Sequence, residues 1–411
     1  MLLTHLSLTN FRNFIRLEAD VPPGSTLLLG ANAQGKSSLL EAVFYLVAAE
    51  SPHAAQPRQV INFLALREPT PVARVVGEVR RGERPERIEI RVVLESLPGE
   101  EPRLRRDVLL NGVRKRLSDL SGVFNAVLFL PEDLRIIEGP PGERRRYLDI
   151  ALSQADARYA ADVHEYGRVL TQRNALLKRL ADSPDGMEQL EFWDQQAAEL
   201  GAGLFRSRAL AVRELETLAA PLHADMTRGA ETLRLEYLPA LPASAAEGQM
   251  GLPLEAAIDY TAWPLTEWRE RLRTSLERWR AEDVERGSTL VGPHRDELRF
   301  LSNAIDLRPY GSRGQNRTAM LSLKLAEVEW LRQRTGEWPV LLLDEVLAEL
   351  DTDRRRDLLT IVSSSQQAML TSTDENLFDE DFRRRATIWH VEAGRLIEAT
   401  AGPADKPDMR L

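Results

Sequence analysis

The sequence predicts an α/β fold: a mixed sheet carrying a phosphate-binding loop, with a helical lobe inserted into it. Three observations predict it. First, Gly30-Ala31-Asn32-Ala33-Gln34-Gly35-Lys36-Ser37 follows the apolar run Thr26-Leu27-Leu28-Leu29 and precedes helical spacing over 38–44. Strand, glycine loop and helix form the context a P-loop requires. Second, Pro339-Val340-Leu341-Leu342-Leu343 ends in Asp344 and Glu345, as where a parallel strand delivers residues to the carboxyl edge of its sheet. Third, the interval from Lys36 to Asp344 is too long for one compact nucleotide-binding sheet, and 143–286 within it reads as largely helical.

Each element follows from its own residues. Leu6 and Leu8, then Ile15 and Leu17, predict an N-terminal hairpin, and 72–79, 88–94 and 108–110 predict further strands. Gly30 and Gly35 allow backbone angles that turn successive N–H groups toward phosphates. Ser38 opens the following helix, whose N-terminus adds partial positive charge. Lys36 is placed to neutralise the β/γ-phosphates of ATP, and the Ser37 hydroxyl to hold Mg²⁺. Asp344 is the expected second metal ligand, through the ion's water shell, and Glu345 the residue that orients the attacking water. The alternatives are a glycine turn with a solvated lysine, and a strand ending in solvated acids.

Within the insertion, 158–180 and 190–218 have helical spacing but no sustained heptads, which predicts a packed lobe and not a rod. The lobe is expected to be helical as far as Pro239-Ala240-Leu241-Pro242-Ala243-Ser244, a flexible segment, with another helix over 268–286. The expected organisation is a head from 1–142 and 287–400, a helical lobe at 143–286, and a disordered tail at 401–411.

Tyr310-Gly311-Ser312-Arg313-Gly314-Gln315-Asn316-Arg317 reads as a small-residue loop opening a strong helix. By itself Ser312-x-Gly314-Gln315 is also an ordinary helix cap. P-loop, this loop and the Asp-Glu strand occur in the order of ABC-type ATPases, and Ala348-Glu349-Leu350-Asp351 resembles the D-loop of that superfamily. The resemblance implies an ABC-type P-loop ATPase head with a mixed sheet and an inserted helical lobe. It also implies that Ser312, Arg313, Gly314 and Gln315 close in trans on the nucleotide of a second copy, an ATP-sandwiched homodimer. SMC-like heads are split in the same way, but their coiled-coil arms need far more residues.

Local strings resemble the RecF family: Asn10-Phe11-Arg12-Asn13, Pro131-Glu132-Asp133-Leu134, Glu143-Arg144-Arg145-Arg146-Tyr147-Leu148-Asp149, Gln172-Arg173-Asn174-Ala175-Leu176-Leu177 and Val291-Gly292-Pro293-His294-Arg295-Asp296-Glu297. The resemblance runs from about residue 1 to 400. It implies a cytoplasmic DNA-binding ATPase of recombinational repair that recognises gapped or junctional DNA, with single- and double-stranded parts. With RecO and RecR it would help load RecA on single-stranded DNA. It makes Arg12 a candidate nucleotide contact and places 131–133 at the Q-loop. Thr373 stands where transporter ATPases carry a switch histidine, which implies slow hydrolysis. Three departures stand out: Ala33 replaces the usual glycine, Asn316 replaces the usual second glutamine, and Ser51-Pro52-His53-Ala54 lacks the expected basic residue.

Composition sets limits. With 411 residues the chain is long enough for two lobes. Without cysteine there is no disulfide, Cys-based zinc site or thiol nucleophile, and the six histidines have no metal-ligand spacing. No apolar window is long enough to span a membrane, and the N-terminus reads as strand, not leader. A net charge of −9 is the wrong sign for coating DNA, although local stripes govern phosphate contact. Arg103, Arg105 and Arg106 with Arg114, Lys115 and Arg116 flank Asn111-Gly112, a hairpin turn, and so form a candidate DNA-facing ribbon. A solvated face is the alternative. Arg144 to Arg146 are candidates for tying the lobes together, and His294 for a structural or nucleotide-proximal role. The competing functional class is an ATPase subunit of a transport or defence complex that does not act on DNA.

Overall fold

The computed structural model describes residues 1–54, 56–95, 102–183, 185–241 and 258–400. Residues 242–244 of the expected flexible segment and the expected tail at 401–411 lie outside the described residues. The chain divides into two compact units, Met1–Asp133 with the chain from Leu331 onward, and Leu134–Trp330. The second unit extends beyond 143–286 at both ends.

The first unit opens with β1 (Leu2–Phe11), β2 (Phe14–Asp20), β3 (Gly24–Leu29) and α1 (Lys36–Ala48), then β4 (Val72–Arg81), β5 (Arg84–Glu95), β6 (Arg103–Leu110), β7 (Val113–Lys115) and β8 (Ala126–Phe129). The second unit contains α2 (Leu134–Glu138), α3 (Pro141–Ala155), α4 (Ala157–Asp182), α5 (Gln189–Met226), β9 (Leu233–Leu238), α6 (Leu265–Arg278), α7 (Arg280–Arg286), β10 (Glu297–Ser302), β11 (Ile305–Asp306) and α8 (Leu307–Tyr310). Helix α9 (Arg313–Thr335) leads back to the first unit, which ends with β12 (Val340–Asp344), α10 (Thr352–Ser364), β13 (Gln367–Ser372), α11 (Glu380–Arg385), β14 (Thr387–Glu392) and β15 (Arg395–Thr400).

Two sheets build the first unit. One is antiparallel, in the order β2-β1-β4-β5-β6-β7. The other runs β15-β14-β3-β13-β12-β8 and is parallel except at β15. Strands buried on both faces read as unbroken apolar runs, and Leu341, Leu342 and Leu343 of β12 and Ala368, Met369 and Leu370 of β13 are all buried. Helix α1 is buried throughout Leu39 to Leu46.

The second unit is not purely helical. β9 pairs with β10, and β10 with β11, in a three-stranded antiparallel sheet. The expectation of helix up to Pro239 is therefore corrected. Leu233, Leu235 and Tyr237 are buried while Arg234 and Glu236 point outward, the period-two pattern of a half-buried strand. Two further expectations change. The helix over 268–286 is interrupted at Trp279, giving α6 and α7. The loop at 310–317 is shorter than expected, because α9 already begins at Arg313.

Buried arginines organise this second unit. Arg173 is fully buried and donates to Asp194 at 2.7 Å, Asp283 at 2.7 Å and Thr289 at 2.8 Å. Arg208 donates to Asp296 and Asp149, each at 2.8 Å. Arg144 forms a forked pair with Glu297 at 2.5 and 2.8 Å, and Arg145 donates to the Asp296 carbonyl at 2.8 Å. These contacts of Arg144 and Arg145 lie within the second unit and tie α3 to the start of β10.

His294 has a structural place in the same unit. Its Nε2–H donates to the Thr289 carbonyl at 3.0 Å and its Nδ1 accepts from the Tyr166 hydroxyl at 3.0 Å. Burial pushes the imidazole down to about 4, so it is neutral at pH 7. An unfolded chain takes up this proton near the ordinary value of 6.5. The contribution to stability is therefore complete above that value and is lost as pH falls toward about 4. Urea unfolding between pH 7 and pH 4 should show His294 costing about 3 kcal/mol. A His294→Gln variant should lose that part of the pH slope; an unchanged slope would contradict the assignment.

Candidate functional site

Sheet order brings distant parts of the chain together. β13 lies between β3 and β12, with Thr371 opposite both Leu28 and Asp344. The carboxyl ends of these strands thus converge on one edge. β3 ends in the loop 30–35 and α1 begins at Lys36. Gly30 has φ +156°, and a Cβ there would stand 2.4 Å from the Val391 carbonyl oxygen; Gly35, at φ +118°, is the N-cap of α1. Ala33 holds φ +63°, a left-handed conformation that costs a residue with a Cβ about 1 kcal/mol. The departure at Ala33 is therefore accommodated by strain.

Lys36 is buried and donates to the carbonyls of Gly30 and Ala31, each at 2.9 Å, and its Nζ lies 3.3 Å from Glu345 Oε1. Ser37 Oγ donates to Asp344 Oδ1 at 2.9 Å. Thr371 Oγ1 donates to the same oxygen at 2.7 Å and accepts from the Glu345 N–H at 2.9 Å. Glu345, at φ +52°, is half-exposed and caps the short turn Val346–Glu349.

An open cleft of about 350 Å³ lies over these groups, lined by Arg12, Ser37, Ser38, Glu41, His53, Glu132, Asp344 and Glu345 among others. Arg12 Nε donates to Glu41 Oε2 and its Nη1 to the Gln59 carbonyl, both at 3.0 Å. Glu41 is buried on α1. The 131–133 segment is a short turn after β8.

Three residues at this edge were missed in the sequence. Glu41 holds Arg12, Thr371 joins the two acids, and His53 Nε2 stands 3.9 Å from Asp344 Oδ2. A lone acid within the apolar run 39–48 was the available signal for Glu41. The segment thought to lack a basic residue places His53 at the cleft instead.

Magnesium keeps several waters and takes one or two protein oxygens plus substrate phosphates. A serine hydroxyl and a carboxylate 2.9 Å apart fit that requirement. Among the described residues no cluster of His, Cys, Asp and Glu forms a complete metal cage, and no helix is long and apolar enough to cross a membrane.

The remaining candidates sit elsewhere. Asp351 is the N-cap of α10, accepting from Arg354 N at 3.0 Å, and that backbone hydrogen bond holds its carboxyl below the usual range. In the second unit, Ser312 Oγ accepts from Gln315 N at 3.2 Å and Gln315 Oε1 accepts from Ser312 N at 3.0 Å, a reciprocal capping box on α9. Ser312, Arg313 and Gly314 are exposed, whereas Asn316 is buried and donates to Glu138 at 2.9 Å.

Asn111 and Gly112, at φ +53° and +79°, form the turn between β6 and β7. Asp107 offsets much of the ribbon's charge: it accepts from Arg114 at 2.6 Å and Arg105 at 3.2 Å. Arg106 lies over the Tyr45 ring at 6.0 Å, while Arg103, Lys115 and Arg116 are exposed.

A phosphate-type loop and paired acids on one parallel edge, in a sheet split by a long insertion, define the head class of P-loop ATPases. The family model RecF/RecN/SMC N terminal domain matches residues 2–395. The chain belongs to the RecF family. It is 39% identical to the DNA replication and repair protein RecF of Chloroflexus aurantiacus, covering 97% of this chain and 100% of the relative. The RecF of Staphylococcus carnosus is 36% identical over the same shares.

A solved structure of the recombination mediator protein RecF–ATPrS in the RecFOR pathway superposes with TM-score 0.81 at 31% identity, covering 97% of this chain and 98% of that one. An SMC head bound to the C-winged helix domain of ScpA, at 16% identity and TM-score 0.51 over 98% of both chains, shares the fold.

Thr371 gives a direct test of the cleft. Thr371→Val keeps the shape of the side chain but removes its bonds to Asp344 and Glu345. It should weaken magnesium-dependent ATP binding about tenfold by calorimetry, with Thr371→Ser close to the parent. Equal affinity in both variants would remove Thr371 from the site.

Proposed function

We propose that this chain is an ATP-dependent DNA-binding protein of recombinational repair, working as an ATP-sandwiched dimer on gapped or junctional DNA. The reading includes support of RecA loading on single-stranded DNA together with RecO and RecR, and a slow hydrolysis that releases the clamp. The observation that carries it is the meeting of Ser37 and Asp344, from the ends of β3 and β12, in a RecF-family chain.

On this reading ATP lies along the loop 30–37, and the N–H groups opening α1 face its phosphates. Lys36 exchanges its bonds with the Gly30 and Ala31 carbonyls for the β/γ-phosphate oxygens. Ser37 and Asp344 hold Mg²⁺, which offsets charge on those oxygens. Glu345 accepts a proton from a water whose oxygen attacks the γ-phosphorus; the bond to the β-bridging oxygen breaks and ADP leaves. Arg12, steadied by Glu41, contacts the nucleotide from the cleft wall.

The signature Ser312-Arg313-Gly314-Gln315 meets the nucleotide of a second copy, and Asp351 belongs to the same interface. Gly314 supports this: a Cβ there would meet nothing of its own chain closer than Ser312 Oγ at 4.0 Å. Glycine in the first turn of α9 leaves the exposed surface open to close approach by another molecule. Arg103, Arg105, Arg106, Arg114, Lys115 and Arg116 form the proposed DNA-facing ribbon.

Two variants separate binding from release. Lys36→Ala should lose ATP-dependent retention of gapped DNA, read by fluorescence anisotropy. Glu345→Gln should retain DNA with ATP while hydrolysis slows about 10²-fold or more. DNA retention that ignores both substitutions would contradict an ATP-dependent clamp, and a parent protein that hydrolyses ATP without retaining gapped DNA would instead favour an ATPase that does not act on DNA.

A further inference from the structure

The turn after α5 passes through Arg228 and Gly229, at φ +53° and +78°, and delivers Glu231 beside the start of α9. Both carboxylate oxygens are engaged. Oε2 accepts from Ser302 Oγ at 2.8 Å, at the end of β10, and lies 3.3 Å from Nε2 of the fully buried His223. Oε1 accepts from Gln315 Nε2 at 3.1 Å. Burial works against the charge of Glu231, but the hydrogen bonds from Ser302, Gln315 and His223 together hold its carboxyl below the usual range.

An ionised carboxylate accepts only, so Gln315 is fixed with its amide nitrogen toward Glu231 and its oxygen toward Ser312 N. We infer that Glu231 is a positioning residue for the signature, holding Gln315 in place when Ser312 changes partners.

The capping box explains why such a residue is needed. Ser312 Oγ is committed to the Gln315 N–H, and Gln315 Oε1 to the Ser312 N–H. A phosphate oxygen that recruits Ser312 must open this pair. Held only by Ser312, the Gln315 side chain would be released in the same step. The bond to Glu231 is charge-assisted and therefore stronger than the neutral bonds of the cap. Ser302 and His223 restrain the other carboxylate oxygen, so Glu231 does not follow Gln315 outward. Gln315 then keeps its orientation, and the first turn of α9 survives the exchange.

This inference rests on the trans role proposed for the signature. A double-mutant cycle tests it, with ATP-driven dimerisation followed by sedimentation equilibrium. Glu231→Ala and Gln315→Ala should each weaken the ATP dimer about tenfold, and the double variant should be no weaker than Gln315→Ala alone. Glu231→Met, similar in length but without an acceptor, should match Glu231→Ala and guards against a collapsed turn.

Glu231→Gln, which keeps an acceptor but loses the charge, should fall between the parent and Glu231→Ala. Its amide oxygen can face Gln315 and its NH₂ can donate to a Ser302 hydroxyl that has turned to accept, but the charge is lost and the His223 Nε2–H loses its acceptor. ATP binding by the dilute monomer, which draws on Lys36, should stay at the parent level in the Glu231 variants.

Losses that add in the double variant would overturn the inference. So would a Glu231→Ala dimer equal to the parent, or Ala and Met variants that both lose the thermal transition of the monomer. If the parent fails to dimerise with ATP, or Gln315→Ala has no effect, the trans role itself is wrong, and this inference falls with it.

Discussion

The position of β13 between β3 and β12 is the constraint on which the site depends. Ser37 and Asp344 are far apart in the chain, and neither forms a site alone. With β13 inserted, Thr371 stands opposite the ends of both neighbours and bonds both acids. The hydrogen bond from Ser37 to Asp344 then closes the edge. Lys36 lies beside Glu345 next to that junction, and Arg12 is held by Glu41 in the cleft lining.

Three residues at this edge sit in left-handed backbone without being glycine: Arg12, Ala33 and Glu345, at φ +51°, +63° and +52°. Such conformations cost about 1 kcal/mol or more each and persist where surrounding structure over-determines them. Here the fixing structure is visible. Arg12 is held by Glu41, by the Gln59 carbonyl and by the Asn62 side chain on its own carbonyl; Glu345 is held by Thr371. At Arg12 and Glu345 the backbone geometry of this edge is therefore imposed by the sheet and its flanking turns.

Much of this was legible in the sequence, for a physical reason. Parallel strands buried on both faces write themselves as unbroken runs, as in Leu341-Leu342-Leu343, and the glycine loop is local. The helix-cap reading of Ser312-x-Gly314-Gln315 was also open, because these residues belong to one helical turn. Partners set by tertiary order were not legible. Thr371 gains its importance from lying between two strands distant in sequence, and His53 from folding back over Asp344. β9 was missed because its partner β10 follows a long excursion, although the alternation of Leu233, Leu235 and Tyr237 carried the signal. Asp107 was legible and overlooked: two residues after Arg105, it lies on the same strand face and offsets the ribbon's charge.

The proposed function turns on ATP making this chain a dimeric clamp on DNA. Sedimentation velocity of the parent protein with ATP–Mg²⁺, with ADP–Mg²⁺ and without nucleotide, each with and without gapped duplex DNA, tests it most directly. An ATP-dependent clamp gives a DNA-bound dimer with ATP, and monomer with ADP or without nucleotide. A monomer in every state, or a dimer indifferent to nucleotide, would contradict it.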